Sequence, residues 1–290
     1  MLVLGFPRSG TTFLHNLLLR CGLRILYEPL DPNIIGMINL AKAKDYNKLR
    51  SFLPHPYMRP EELVNMLQPY IEDNTLLYAI KRFHPNVGGH RYKLLYDEYA
   101  LIRYLTILKN FSMKETRLLL YVDRDYVFKN WYIIFIIRNP ADVYCECTKY
   151  FLGHLNKPHY RILLSIGKKR IKEIFAVINK LDLNLFYKPL CEVLSTMRPD
   201  LLKNAWQFTL EETFILLWIL ANYYAASRLN SENIIIYNKP LTLYERLRVD
   251  VKYTPVEYHR FREEILYRFT KVSELYDLED EYEYLLRLIE

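Results

Sequence analysis

Eight residues near the amino end, Gly5-Phe6-Pro7-Arg8-Ser9-Gly10-Thr11-Thr12, combine the residue types that hold a phosphate group. An apolar start, Met1-Leu2-Val3-Leu4, precedes them, and an amphipathic run, Phe13 to Arg20, follows. Strand, glycine-bearing loop and helix in that order make an anion cradle. Backbone N–H groups and the helix N-terminus point at the anion, and the glycines let it come close. Thr11 and Thr12 add hydroxyl donors, and Arg8 adds a cation. A nucleotide-cleaving Walker loop, G-x-x-x-x-G-K-[ST], needs a lysine directly after its second glycine. Here that place is Thr11, which counts against ATP hydrolysis with magnesium, although a small-molecule kinase sharing the fold is an alternative reading. A second group of interest is Arg138, at the end of the apolar run Tyr132 to Ile137. A cation at the carboxyl end of a central strand faces the ligand crevice of an open α/β sheet. Asn139-Pro140 then breaks the strand and opens a helix.

Pro7-Arg8-Ser9-Gly10-Thr11-Thr12 resembles the 5′-phosphosulfate loop of sulfotransferases that use PAPS (3′-phosphoadenosine 5′-phosphosulfate), and Arg138-Asn139-Pro140-Ala141-Asp142-Val143 resembles their 3′-phosphate element. The resemblance implies that Arg8 contacts the 5′-phosphate and bridging oxygen, within a loop completed by Ser9, Gly10, Thr11 and Thr12. It implies that Phe13 stacks on adenine, with a core phenylalanine as the other reading, and that Arg138 holds the 3′-phosphate. One position departs from the pattern: the family has a serine eight residues after that arginine, and here it is Glu146. A carboxylate there repels a phosphate unless it points away or pairs with a cation.

Three further stretches carry the likeness. Leu108-Lys109-Asn110-Phe111 resembles the lysine element that ends the family's third strand, which puts Lys109 near the sulfonate; Lys81, in Tyr78 to His84, is the other candidate. Tyr27-Glu28-Pro29-Leu30 resembles the carbohydrate and tyrosyl-protein sulfotransferases, whose glutamate there is the proposed base. Glu28 is therefore the expected base, with helix capping as its other reading, and His84 is the rival base. Trp218 and the run Ile234 to Leu241 resemble the last strand and its Y-E-x-L ending, with Asn238 replacing the glutamate. The implied reaction moves a sulfonate from PAPS to a hydroxyl or amine, of a carbohydrate, small-molecule or tyrosyl type, releasing PAP (3′-phosphoadenosine 5′-phosphate) without a metal. A non-catalytic nucleotide-binding protein of the same fold is the alternative that Glu146 and Asn238 favour.

Such a site needs a scaffold, and apolar runs separated by helical patterns point to a parallel sheet buried on both faces. The expected strands are Met1–Phe6, Arg24–Tyr27, Tyr104–Leu108, Tyr132–Ile137 and Asn233–Tyr237. The expected fold is a P-loop-like three-layer α/β/α domain spanning 1–290, with a helix over Thr116–Val122 and helical insertions at about 36–100 and 150–205.

Composition agrees. A chain of 290 residues, 51% hydrophobic and 25% charged, can bury a large core. The net charge of +7 suits an anionic ligand, and the basic residues are too scattered for a nucleic-acid groove; Lys168-Lys169-Arg170 alone is dense. Cys21, Cys145, Cys147 and Cys191 lack a zinc spacing and read as reduced thiols of a cytoplasmic protein. The loop starts so close to Met1 that neither a leader nor an anchor is expected, and the greasiest stretch, Phe214 to Ala226, is too short to span a bilayer. Gln68 and Gln207 are the only glutamines, a bias of heat-adapted proteins.

Overall fold

The computed structural model describes residues 1–31, 33–53, 58–83, 98–116, 118–119, 122, 128, 131–155, 187–237 and 262–290. Five strands form one sheet: β1 (Leu2–Gly5), β2 (Ile25–Tyr27), β3 (Ser112–Lys114), β4 (Ile133–Ile137) and β5 (Ile234–Ile236). Their spatial order is β2-β3-β1-β4-β5, and every pairing is parallel. Register is set by pairs such as Val3 with Lys114 and with Ile134. The protein is thus mixed α/β with an all-parallel sheet.

Helix α1 (Thr11–Arg20) lies on one face, where Leu14 and Leu18 meet Val3, Ile25, Ile134, Ile136 and Ile235. The opposite face carries the larger core. Leu2, Leu4, Phe135 and Ile137 pack there with residues of α2 (Ile34–Lys42), α3 (Tyr46–Leu49), α4 (Pro60–Glu72), α5 (Asn74–Phe83) and α6 (Glu98–Leu108). The same core takes in α7 (Pro140–Leu155), α8 (Tyr187–Met197), α9 (Pro199–Leu202), α10 (Leu210–Ala226), α11 (Arg262–Tyr276) and α12 (Glu279–Ile289). Alternation along β1 and β4 feeds successive side chains to the two cores, as the period of two in a strand requires. Among the described residues no helix is long and apolar enough to cross a membrane.

Four of the five expected strands stand within a residue or two of their expected bounds. The third does not: Tyr104–Leu108 is the last turn of α6, and the strand is Ser112–Lys114. A five-residue apolar run fits a buried helix face as well as a strand, and only neighbours in space decide between them. Leu105 and Leu108 bury one side of that helix while Thr106 bonds back to the Ile102 carbonyl. Lys81 belongs to helix α5, not to a strand end. The expected insertions contain α2 to α5 in the first and α8 and α9 in the second, and the helix expected over Thr116–Val122 falls partly outside the described residues.

Candidate functional site

The chain leaves β1 toward β2 and β3 on one side, and then places β4 on the other, so the sheet order reverses between β1 and β4. At such a switch point the carboxyl ends of the strands open a crevice. Both sequence-marked anion elements lie there. After β1, Ser9 N–H donates to the Phe6 carbonyl at 3.0 Å, and Ser9 Oγ donates to the same oxygen at 2.6 Å. Ser9 is buried, so its hydroxyl shapes the loop instead of facing solvent. Gly5 has to be glycine, since a Cβ would come within 2.6 Å of the Thr11 methyl and 2.7 Å of Ser9 Oγ. Gly10 has φ 102°, and a Cβ on it would fall inside the Tyr237 ring. Helix α1 then opens with Leu14 N–H donating to the Gly10 carbonyl at 2.9 Å. By helix geometry the N–H groups of Thr11 and Thr12 have no intrahelical acceptor.

Arg138 comes off the end of β4 and is 5% exposed. Its Nη1 donates to the Arg8 carbonyl at 3.3 Å, which ties the loop after β1 directly to the end of β4. Its Nε stands 4.0 Å from Asp142 Oδ2, and its guanidinium lies 4.6 Å from the centroid of the Tyr237 ring. Asn139 Oδ1 accepts from Ala141 N–H at 3.0 Å, and Pro140 occupies the first helical position, so Asn139-Pro140 starts α7 as its sequence suggests. Asp142 and Glu146 follow at helical spacing, and Glu146 is half-buried. Both bear on Tyr237: burial pushes its phenol up, the carboxylates of Glu146 and Asp142 add to that, and Arg138 opposes it. Phe13 meets the same ring edge-on at 5.6 Å.

A third group gathers at the ends of β2 and β3. Glu28 N–H donates to the Lys114 carbonyl at 2.8 Å, and the Lys114 ammonium forms an ion pair with Glu28 Oε1. Thr116 Oγ1 approaches the same oxygen at 3.5 Å. The Lys114 ammonium also lies 4.7 Å from the centroid of the Tyr27 ring. Next in sequence, buried Glu115 accepts from Leu30 N–H at 2.9 Å, while Tyr70 donates to the Tyr27 carbonyl at 3.0 Å and Tyr104 to the Pro29 carbonyl at 2.9 Å. His15 closes the cluster from α1, edge-on to Tyr27 at 5.4 Å. Its imidazole is pushed down to about 4, first by burial and then by the Lys114 charge. Neither ring nitrogen has a hydrogen-bond partner.

Backbone conformation singles out two of the expected site residues. Arg8 has φ 71° and Glu28 φ 43°, in the left-handed region that non-glycine residues seldom enter. Lys44 and Asp277 share it for an ordinary reason: each follows a helix, and the next N–H reaches back five residues, from Asp45 to Leu40 and from Leu278 to Ser273. Arg8 and Glu28 follow strands, where no such cap exists, and strain held there is a mark of functional loops. Glu28 does not cap α2, which begins at Ile34 beyond Asn33.

The structure thus gathers Arg8, Ser9, Gly10, Thr11, Thr12, Phe13, Arg138 and Glu146 around the carboxyl ends of β1 and β4, with Glu28 two strands away on the same edge. It does not bring Lys109 there. That residue is exposed in the turn between α6 and β3, at the amino end of β3 and hence on the opposite edge of a parallel sheet. The lysine at the carboxyl end of β3 is Lys114, which no sequence pattern marks, because a three-residue strand is too short to show a period. Tyr237 was marked in sequence only as the end of the fifth apolar run and the tyrosine of the Y-E-x-L likeness, with no role at the site assigned to it. His84 and Asn238 lie outside the described residues. Among the described residues no group of His, Cys, Asp and Glu side chains is arranged to hold a metal ion. Compared with family models, with curated proteins and with solved structures, the chain matches none.

Proposed function

We propose that this chain is a sulfotransferase of P-loop-like α/β architecture, moving a sulfonate from PAPS to a hydroxyl or amine of an acceptor. The observation that carries the reading is the Arg138–Arg8 hydrogen bond. It joins the loop that resembles a 5′-phosphosulfate cradle to the element that resembles a 3′-phosphate clamp. A nucleotide phosphorylated at both positions needs both elements within one ligand length.

In this reading the loop holds the 5′-phosphate on the backbone at the start of α1, and Arg8 neutralises charge as it develops on the bridging oxygen. The acceptor oxygen attacks sulfur in line, the bond between sulfur and the bridging oxygen breaks, and PAP leaves with that electron pair. The acceptor proton passes to the Glu28 carboxylate, a contribution of about 10²–10⁴-fold for a positioned base. Lys109 has no part in the step.

A second reading, binding of a nucleotide without turnover, is favoured by one observation. Arg138 already has Asp142 at 4.0 Å and Tyr237 against its guanidinium, and the Glu146 carboxylate acts on that same tyrosine. Calorimetric titration separates the readings when PAP is compared with AMP and ATP·Mg²⁺. Tight PAP and weak AMP binding, abolished by Arg8→Ala, is the expected result. Glu28→Gln then keeps PAP binding and removes sulfonate transfer; PAP binding with no transfer by the unaltered chain to any acceptor in a broad screen selects the second reading. Binding of ATP·Mg²⁺ alone overturns sulfonate transfer and moves the assignment to the kinase reading, and binding of no nucleotide overturns both readings.

A further inference from the structure

We infer that Lys114 is the positioning residue for Glu28, fixing both where that carboxylate points and the charge it carries; the inference rests on the sulfonate-transfer reading of the site. Its basis is a double grip by one residue. The Lys114 carbonyl accepts the Glu28 N–H at 2.8 Å, and the Lys114 ammonium pairs with the Glu28 carboxylate. Backbone and side chain of Glu28 are therefore registered to the same point on β3. That grip holds Glu28 in a left-handed conformation that a chain without it would leave.

Burial gives the ion pair its consequence. The Lys114 side chain is 2% exposed and that of Glu28 12%. Burial favours the neutral form of a carboxyl group and a facing cation favours the charged form, which alone can accept a proton. Among the described residues, the charged and ionisable groups at the cluster are His15 from α1, Tyr27 from β2, Tyr70 from α4, Tyr104 from α6, and Glu115 beside Lys114. Of these His15 is neutral at pH 7, and neither a tyrosine nor a glutamate carries positive charge in any protonation state, so none supplies it. Glu115 is spent on the Leu30 N–H. Among the described residues Lys114 is the cation that meets the Glu28 carboxylate. The Tyr27 ring, with the ammonium over it, holds the lysine in place.

The test follows the Glu28 carboxyl carbon by NMR through a pH titration, its resonance assigned by loss in Glu28→Gln. In Lys114→Met the midpoint rises by about one pH unit or more, and Lys114→Arg returns it part of the way. The acid limb of the transfer rate moves up by the same amount, while the Kd for PAP stays within about twofold. An unmoved midpoint overturns the inference, whatever the rate does. Absence of PAP binding by the unaltered chain overturns the sulfonate-transfer reading instead, and leaves the titration to decide the pairing. Stability gives an independent readout: Lys114→Met is destabilised, and adding Glu28→Gln recovers much of the loss because the stranded carboxylate is gone. Equal loss in single and double variants, including failure of both to fold, overturns the inference, since Lys114 then serves packing alone.

Discussion

His15 shows how a single side chain can carry a pH dependence. It sits beside Lys114 with neither ring nitrogen bonded, and its imidazole is pushed down to about 4 against an ordinary 6.5. The unfolded chain therefore binds a proton near pH 6.5 that the folded chain refuses. The stabilisation is fully present above pH 6.5 and is lost as pH falls toward about 4. At full extent it amounts to about 3 kcal/mol. His15→Leu removes the titrating group and two buried nitrogens that lack a well-formed hydrogen bond, so it is expected to hold or raise stability at pH 7. Urea unfolding midpoints at pH 7 and pH 4.5 check this. The unaltered chain is expected to lose more between those values than His15→Leu does, and parallel losses would sink the idea. Arg8, Gly10 and Glu28 could be marked as candidates from sequence because each lies in a short motif that carries the family likeness. Lys114 could not, because the contact that marks it is an ion pair with a residue 86 positions away.

At the scale of elements, the strongest strand was also the most legible. Ile133 to Ile137 are all buried, and five apolar residues bounded by Tyr132 and Arg138 leave little choice. Strand β3 was hidden for the opposite reason. It lies inside the sheet, between β2 and β1, yet carries Ser112 and Lys114. Helix α10 shows legible ends. Thr209 Oγ1 accepts from Glu212 N–H at 3.1 Å, and Glu212 Oε2 accepts from Thr209 N–H at 2.7 Å, a reciprocal capping box. Glu212 Oε1 also accepts from the Tyr276 hydroxyl at 3.0 Å, so the cap anchors the end of α11. Thr209→Ala is expected to cost about 1 kcal/mol. Glu212→Ala should cost more, since it loses the second contact as well. Denaturant midpoints decide it, and equal losses would show that the tie to α11 contributes nothing.

Across the whole molecule, a column of aromatic rings connects the candidate site to the far end of the chain. Phe6, in the loop after β1, meets Phe214 of α10 at 6.0 Å. Phe214 and Trp218 both meet Phe269 of α11, at 6.4 and 5.6 Å, and Tyr144 of α7 joins at 6.4 Å. Phe269 then stacks on Tyr282 of α12 at 5.9 Å. Composition announced a chain rich in aromatics, with 26 tyrosines and 14 phenylalanines, but not which of them converge. Phe269→Ala opens a cavity where four elements meet and is expected to cost about 3–5 kcal/mol. Because that column begins at Phe6, the same variant should also weaken PAP binding under conditions where it is still folded. Calorimetry beside urea unfolding measures both. A large stability loss with unchanged binding would confine the column to support of the helices.

The placement of β3 has a consequence for scale. Since that strand lies between β1 and β2, the loop bearing Arg8 and the residue Glu28 are held two inter-strand steps apart, about 10 Å. Hydrogen bonds of the sheet set this gauge, and the loops riding on it do not. Cation and carboxylate stand like the jaws of a caliper locked at one opening, with the third strand as the spacer. Substitutions in either loop change what the jaws are made of and leave the opening as it is. Only a change in how β3 pairs with its neighbours would reset it.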